Sequence, residues 1–173
     1  MTDILFFKDK DSNNYYLKFN INNQNINLIH LIQFQLFQLL FDLNKDLCEQ
    51  ISTNYINKNE VNLIVIMKHL FEDIGLNQYF CNVNIERIVE NSSCIKFIIK
   101  TNNEEYNNGY KNLELLLIEH IECKFNIINE HNIMVEICAN IEKTVQINMI
   151  EKFVFLIVKK IIKRVKDFIE IMT

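Results

Sequence analysis

The sequence predicts an α+β fold: an antiparallel sheet of about six to seven strands, two helices inserted after the N-terminal strand or strands, and one long C-terminal helix packed on the sheet. Three observations carry this. Apolar residues alternate cleanly in YYLKFNIN near the N-terminus. From Cys81 to about Met149 the apolar period is again two, which is the signature of half-buried strands. From about Ile150 to Met172 the period changes to that of a helix, with Val154, Val158, Ile161, Val165, Phe168 and Met172 as its buried stripe.

In chain order, ILFF is followed by the polar turn cluster KDKDSNN. The first clear strand then puts Tyr15, Leu17, Phe19 and Ile21 on one side and Tyr16, Lys18, Asn20 and Asn22 on the other. The stretch NQNINLIHLIQFQLFQLLFDLNKDLCEQI has a helical apolar period with a wide apolar face, and Asn27 is its N-cap. A second helix is expected from about Glu60 to Ile74, capped by Asn59 and stopped by Gly75. NVNIERIV reads as a strand, ENSS as a turn, and CIKFIIKT as a strand with Ile95, Phe97 and Ile99 on one face. Asn107-Asn108-Gly109 is the strongest hairpin signal.

The segment NLELLLIEHIECKFNII, residues 112–128, decides the fold. A helix accounts for Leu113, Leu116, Leu117 and Ile121 but not for the second half. Alternation accounts for both halves, so 112–118 and 122–128 are expected to be extended and antiparallel to their neighbours, with a bend or bulge near Glu119-His120. Asn129 to Asn132 makes a turn. NIMVEICA is a strand, IEK a turn, and TVQINM the last strand before the helix. There is no domain boundary, so 1–173 is read as a single domain.

Composition narrows the function. The 173 residues are 49% hydrophobic and 23% charged, as in an ordinary globular chain. A net charge of −4 argues against a nucleic-acid binder. The 26 Asn and 29 Ile beside 2 Gly and no Pro fit an AT-rich coding sequence. Five cysteines, an odd number without a CxxC pair, fit reduced thiols and a cytoplasmic or other reducing compartment. ILFF is too short for a leader, and no apolar run is long enough for a membrane span. Gly75 and Gly109 cannot build a phosphate loop, and neither GxSxG nor HExxH occurs. His120 and Cys123 lie three apart, but no second ligand pair accompanies them. No cofactor and no metal are therefore expected, and an enzymatic role ranks below a binding one.

The element order, carried by YYLKFNIN and by CKFNIINEHNIMVEICANIEKTVQINMIEKFVFLIVKKIIKRVKDFI, resembles the helix-grip fold of the START and birch-pollen-allergen-like superfamily. The resemblance implies a curved sheet wrapped around the last helix, with a cavity between them for a hydrophobic ligand. VENSSCIKF and MVEIC also resemble strands of the fold shared by vinyl-reductase-type sensors and TRAPP tethering subunits. That second resemblance requires a helix at 111–121, where the sequence alternates.

Under the first resemblance the function is non-enzymatic binding or transport of a hydrophobic or amphiphilic small molecule or lipid. The expected wall is Phe19, Phe97, Leu117, Phe125, Val135, Ile147, Val154 and Val158, with Arg87 and Glu119 as its charged candidates. Arg87 interrupts the apolar face of Val83, Ile85 and Val89, and Glu119 that of Leu117 and Ile121. Burying either unpaired is costly, so a bulge or strand end that turns the residue to solvent is the competing account. Lys159, Lys160, Lys163, Arg164 and Lys166 are read as a solvated helix face, with weak membrane-surface contact as the alternative. The other function class is a protein–protein interaction or scaffold protein with a filled core.

Overall fold

The structure, a computed structural model, describes residues 4–9, 14–69, 72–75, 77–102, 113–141 and 148–173, with side chains described for all of these except 74, 141 and 148–155. The strands are β1 (Leu5–Lys8), β2 (Asn14–Asn22), β3 (Cys48–Asn57), β4 (Glu60–Met67), β5 (Gln78–Asn91), β6 (Cys94–Thr101), β7 (Leu113–Leu115), β8 (Ile118–Asn129) and β9 (Asn132–Ile141). The helices are α1 (Gln35–Asp42) and α2 (Asn148–Ile171), with 3-10 turns at Leu28–Leu31 and Glu72–Ile74. The strands form one sheet in the order β1-β2-β9-β8-β6-β5-β4-β3, and β7 pairs with β5.

The registers explain why the sequence alternates. Leu17 pairs with Ile137, Ile137 with Cys123, Cys123 with Phe97, and Phe97 with Arg87. Tyr15 likewise leads through Ala139, Ile121, Ile99 and Ile85 to Val61. Residues directly opposite share a face, so each row runs across the sheet on its concave side. The convex side carries ion pairs. Lys18 Nζ lies 2.7 Å from Glu136 Oε1, and Asn126 Nδ2 donates to Glu136 Oε2 at 3.0 Å. Lys96 lies between Glu90 at 2.6 Å and Glu122 at 3.6 Å.

Several expectations change. Glu60 to Met67 is not a helix but β4, paired on both sides and preceded by the unforeseen strand β3. The turn between them is set by Asn57, whose Oδ1 accepts the Asn59 amide at 2.8 Å. Among the described residues of the expected second helix, only Glu72–Ile74 is helical, a single 3-10 turn ending at Gly75, which takes φ 74°. The first expected helix is broken in two. Asn27 does cap Leu28–Leu31, its Oδ1 accepting the Ile29 amide at 3.0 Å, and α1 follows after a break. Residues 113–115 and 118–129 are extended, with a register shift between Ile118 and His120 at the expected bulge. β7 is, however, parallel to its partner β5, not antiparallel. The Asn107-Asn108-Gly109 hairpin and residues 144–147 of the expected last strand lie outside the described residues, while Asn148 and Met149 belong to α2.

Helix α2 packs on the concave face through Val158, Ile162, Val165 and Ile169. Phe168, expected in this stripe, is 36% exposed. It sits one residue round the helix from Ile169, which takes the inward position. The C-terminal end of α2 is held by Asn23, whose Nδ2 donates to Ile169 O at 2.6 Å and Met172 O at 2.8 Å. Farther back, Arg164 forks onto Asp46, with Nη2 2.9 Å from Oδ2, and reaches Asn44 Oδ1 at 3.0 Å. Among the described residues, no helix is long and apolar enough to cross a membrane.

Candidate functional site: an apolar cavity under the C-terminal helix

The elements leave a cavity of about 300 Å3 between the sheet, the segment 28–40 and α2. Its floor is the concave face: Tyr15, Leu17, Phe19 and Ile21 from β2, Ile133, Val135, Ile137 and Ala139 from β9, Ile121, Cys123 and Phe125 from β8, and Phe97 and Ile99 from β6. Leu28, Leu31, Ile32, Leu36, Phe37 and Leu40 form one side. Val158, Ile161, Ile162, Val165, Lys166 and Ile169 of α2 form the roof. Phe97 meets Phe34, Phe37 and Phe125 edge-on, with centroids 5.8, 5.4 and 5.8 Å away, so its ring is fixed from three directions.

The electrostatics are those of a dry wall. Burial pushes the Cys123 thiol up to about 12, with the Glu122 carboxylate adding to the shift. A thiol so placed stays protonated and behaves as a small apolar group. Lys166 is the one charged side chain of the wall among the described residues. It is 5% exposed, and its ammonium pairs with Glu170 one turn on. Glu170 in turn accepts the Asn22 amide at 3.1 Å.

Of the residues expected from the sequence, Phe19, Phe97, Phe125, Val135 and Val158 come together in this wall. Leu117 is half-buried in the link between β7 and β8 and is not in the wall. Ile147 lies outside the described residues, and the side chain of Val154 is not described. Glu119 is exposed beside the β8 register shift. Arg87 is half-buried at the end of the Phe97 row. Its Nε donates to Ile32 O at 3.1 Å, so it ties the 3-10 turn to the sheet instead of entering the cavity. Lys159, Lys160 and Lys163 are exposed as expected, but Lys166 is buried. Its place was visible in the spacing, four residues after Ile162 and three before Ile169, within the inward stripe.

Neither a protein-family model nor a curated protein sequence matches the chain. Solved structures do. The human StarD13 (DLC2) lipid transfer and protein localization domain is similar at a TM-score of 0.72 and 7% identity, over 99% of this chain and 85% of that one. Human STARD10 is similar at 0.72 and 5%, over 97% and 72%. A STAR-related lipid transfer protein from Xanthomonas axonopodis is similar at 0.65 and 6%, over 97% and 98%. At such identities the likeness is one of fold, and the fold of this chain is the helix-grip fold that the START domains share.

Proposed function

We propose that the chain binds a hydrophobic small molecule or lipid in the cavity under α2 and holds or carries it without chemical change. The observation that supports this most is the pocket itself: about 300 Å3 of space walled by apolar side chains under α2. Interiors are close-packed, and space of this size is at the lower end of small-molecule pockets. The lipid-transfer names of the similar structures agree with the reading. Phe19, Phe97, Phe125, Val135 and Val158 are the proposed ligand contacts among the residues expected from the sequence. An interaction protein with a filled core is supported less, because an apolar pocket lies between the sheet, the segment 28–40 and α2. The exposed face of α2, with Lys159, Lys160 and Lys163 near the exposed Leu156, suits transient contact with a lipid surface. The five free thiols suit a reducing compartment.

The test is a titration with the neutral fluorescent probe N-phenyl-1-naphthylamine. Saturable binding is expected for the native chain and for Lys18→Ala, on the convex face. Ala139→Phe, which fills the cavity floor, should weaken it at least about tenfold, the equivalent of ~1.4 kcal/mol. Non-saturable signal, or equal binding by the folded Ala139→Phe chain, would remove the proposal.

A further inference from the structure

Lys166 stands where the stripe of α2 calls for an aliphatic residue. Val158, Ile162, Val165 and Ile169 are its inward neighbours, and its stem is part of the cavity roof. A lysine is almost never buried to this degree unless its charge is used. An ammonium carries three donors. Among the described residues the Lys166 ammonium has one acceptor, Glu170.

The two partners are not equivalent. The Lys166 side chain is 6% exposed, whereas that of Glu170 is 26% exposed and bonded also to the Asn22 amide. Glu170 therefore reaches solvent, while the Lys166 side chain is buried. Leaving the buried ammonium without a partner is costly, so any group that displaces Glu170 must itself pair with it. The buried cation is thus the fixed element of the pair and the carboxylate the exchangeable one.

We propose that the cavity takes a single-chain amphiphile with an anionic head, a carboxylate above all. Its tail fills the apolar space, and its head replaces Glu170 on the Lys166 ammonium. This rests on the reading of the cavity as a hydrophobic-ligand site. The tail lies toward Tyr15, Ala139 and Val158, away from the Lys166 end. A cationic head is opposed by the ammonium. A neutral hydroxyl gains one hydrogen bond but no charge pairing, and bonds to a charged partner are roughly twice as strong as neutral ones. A volume of about 300 Å3 favours one chain over two. An anionic phosphate monoester on a single chain shares the same chemistry, and a phosphate arm in the experiment separates it from a carboxylate.

The experiment uses the full chain at about pH 8, where the decanoate head is ionised. Bound N-phenyl-1-naphthylamine is displaced by decanoate, decyl phosphate, decanol and decyltrimethylammonium, each below its micelle concentration. Decanoate should displace the probe at a concentration at least about tenfold lower than decanol. In Lys166→Met, which keeps an apolar stem of similar size, that ratio should fall to about one. In Glu170→Gln, which weakens the competing partner, it should rise. Decyl phosphate displacing more tightly than decanoate would overturn the carboxylate preference. If the probe binds saturably but decanoate, decanol and decyltrimethylammonium displace it equally, the head-group proposal falls and the cavity reading stands. An unchanged ratio in both variants also overturns it. If the probe does not bind at all, the cavity reading fails and this proposal with it.

Discussion

Phe97 is fully buried, and its ring is the point where three others meet. Its importance was legible in CIKFIIKT, where alternation puts it on the inner face between Ile95 and Ile99. What the sequence did not show is that Phe34 and Phe37, from a segment sixty residues earlier in the chain, complete its surroundings. Phe97→Ala should destabilise the fold by about 3–5 kcal/mol, because the ring contributes both transfer energy and packing that the rigid neighbours cannot replace. Urea denaturation measures it, and Lys18→Ala on the convex face should cost less than ~1 kcal/mol. At Asp46 the Arg164 hydrogen bonds hold the carboxyl down at about 2, below the ordinary carboxylate range. A carboxylate with a depressed value in the folded state adds stability above its unfolded value, and that contribution disappears as pH falls through about 2. Arg164→Gln should return the Asp46 titration toward the ordinary carboxylate range, as read by carboxyl-carbon NMR. A midpoint that stays near 2 would show that the fork seen here does not control it.

The elements were legible where one face meets the core and the other meets water. Strands β2, β6, β8 and β9 are of this kind, and their alternation survived even the bulge near Glu119. The hairpin of β3 and β4 was not legible, for two different reasons. β3 is an edge strand with almost every residue exposed, so no apolar period marks it. β4, VNLIVIM, is apolar nearly throughout, and its buried residues Val61, Leu63 and Ile66 do not alternate. Periodicity alone cannot tell such a run from a helix, and the β-branched Val61, Ile64, Val65 and Ile66 were the better signal. In α2 the stripe was right in kind but misplaced by one residue at Phe168, and Lys166 was hidden by its charge. Deleting 148–173 should expose the concave face and remove the buried Val165 and Ile169, at about 1.5–3 kcal/mol each, along with the half-buried roof. Against a domain stability of roughly 5–15 kcal/mol this should abolish cooperative unfolding in urea. A truncated chain that remains monomeric and unfolds cooperatively would show that the helix is peripheral to stability.

At the scale of the whole molecule, the sheet, the segment 28–40 and α2 border an apolar pocket that is partly open to solvent. The concave rows supply its floor, Arg87 fixes the 3-10 turn to the sheet, and Asn23 and Asp46 fix α2 over the top. Sequence alternation made the floor legible, because inward residues follow from period two. The existence of empty space was not legible, since the same pattern serves a filled core equally well. The proposed head-group preference rests on one buried lysine, whose inward place the spacing showed while its charge marked it as surface. The most direct measurement of the central claim is native mass spectrometry of the protein purified without detergent, followed by addition of decanoate. A 1:1 adduct, either co-purifying or formed on addition, is expected and should be lost in Ala139→Phe. A folded protein that shows only the bare mass under both conditions, or an adduct that Ala139→Phe retains in full, would contradict it.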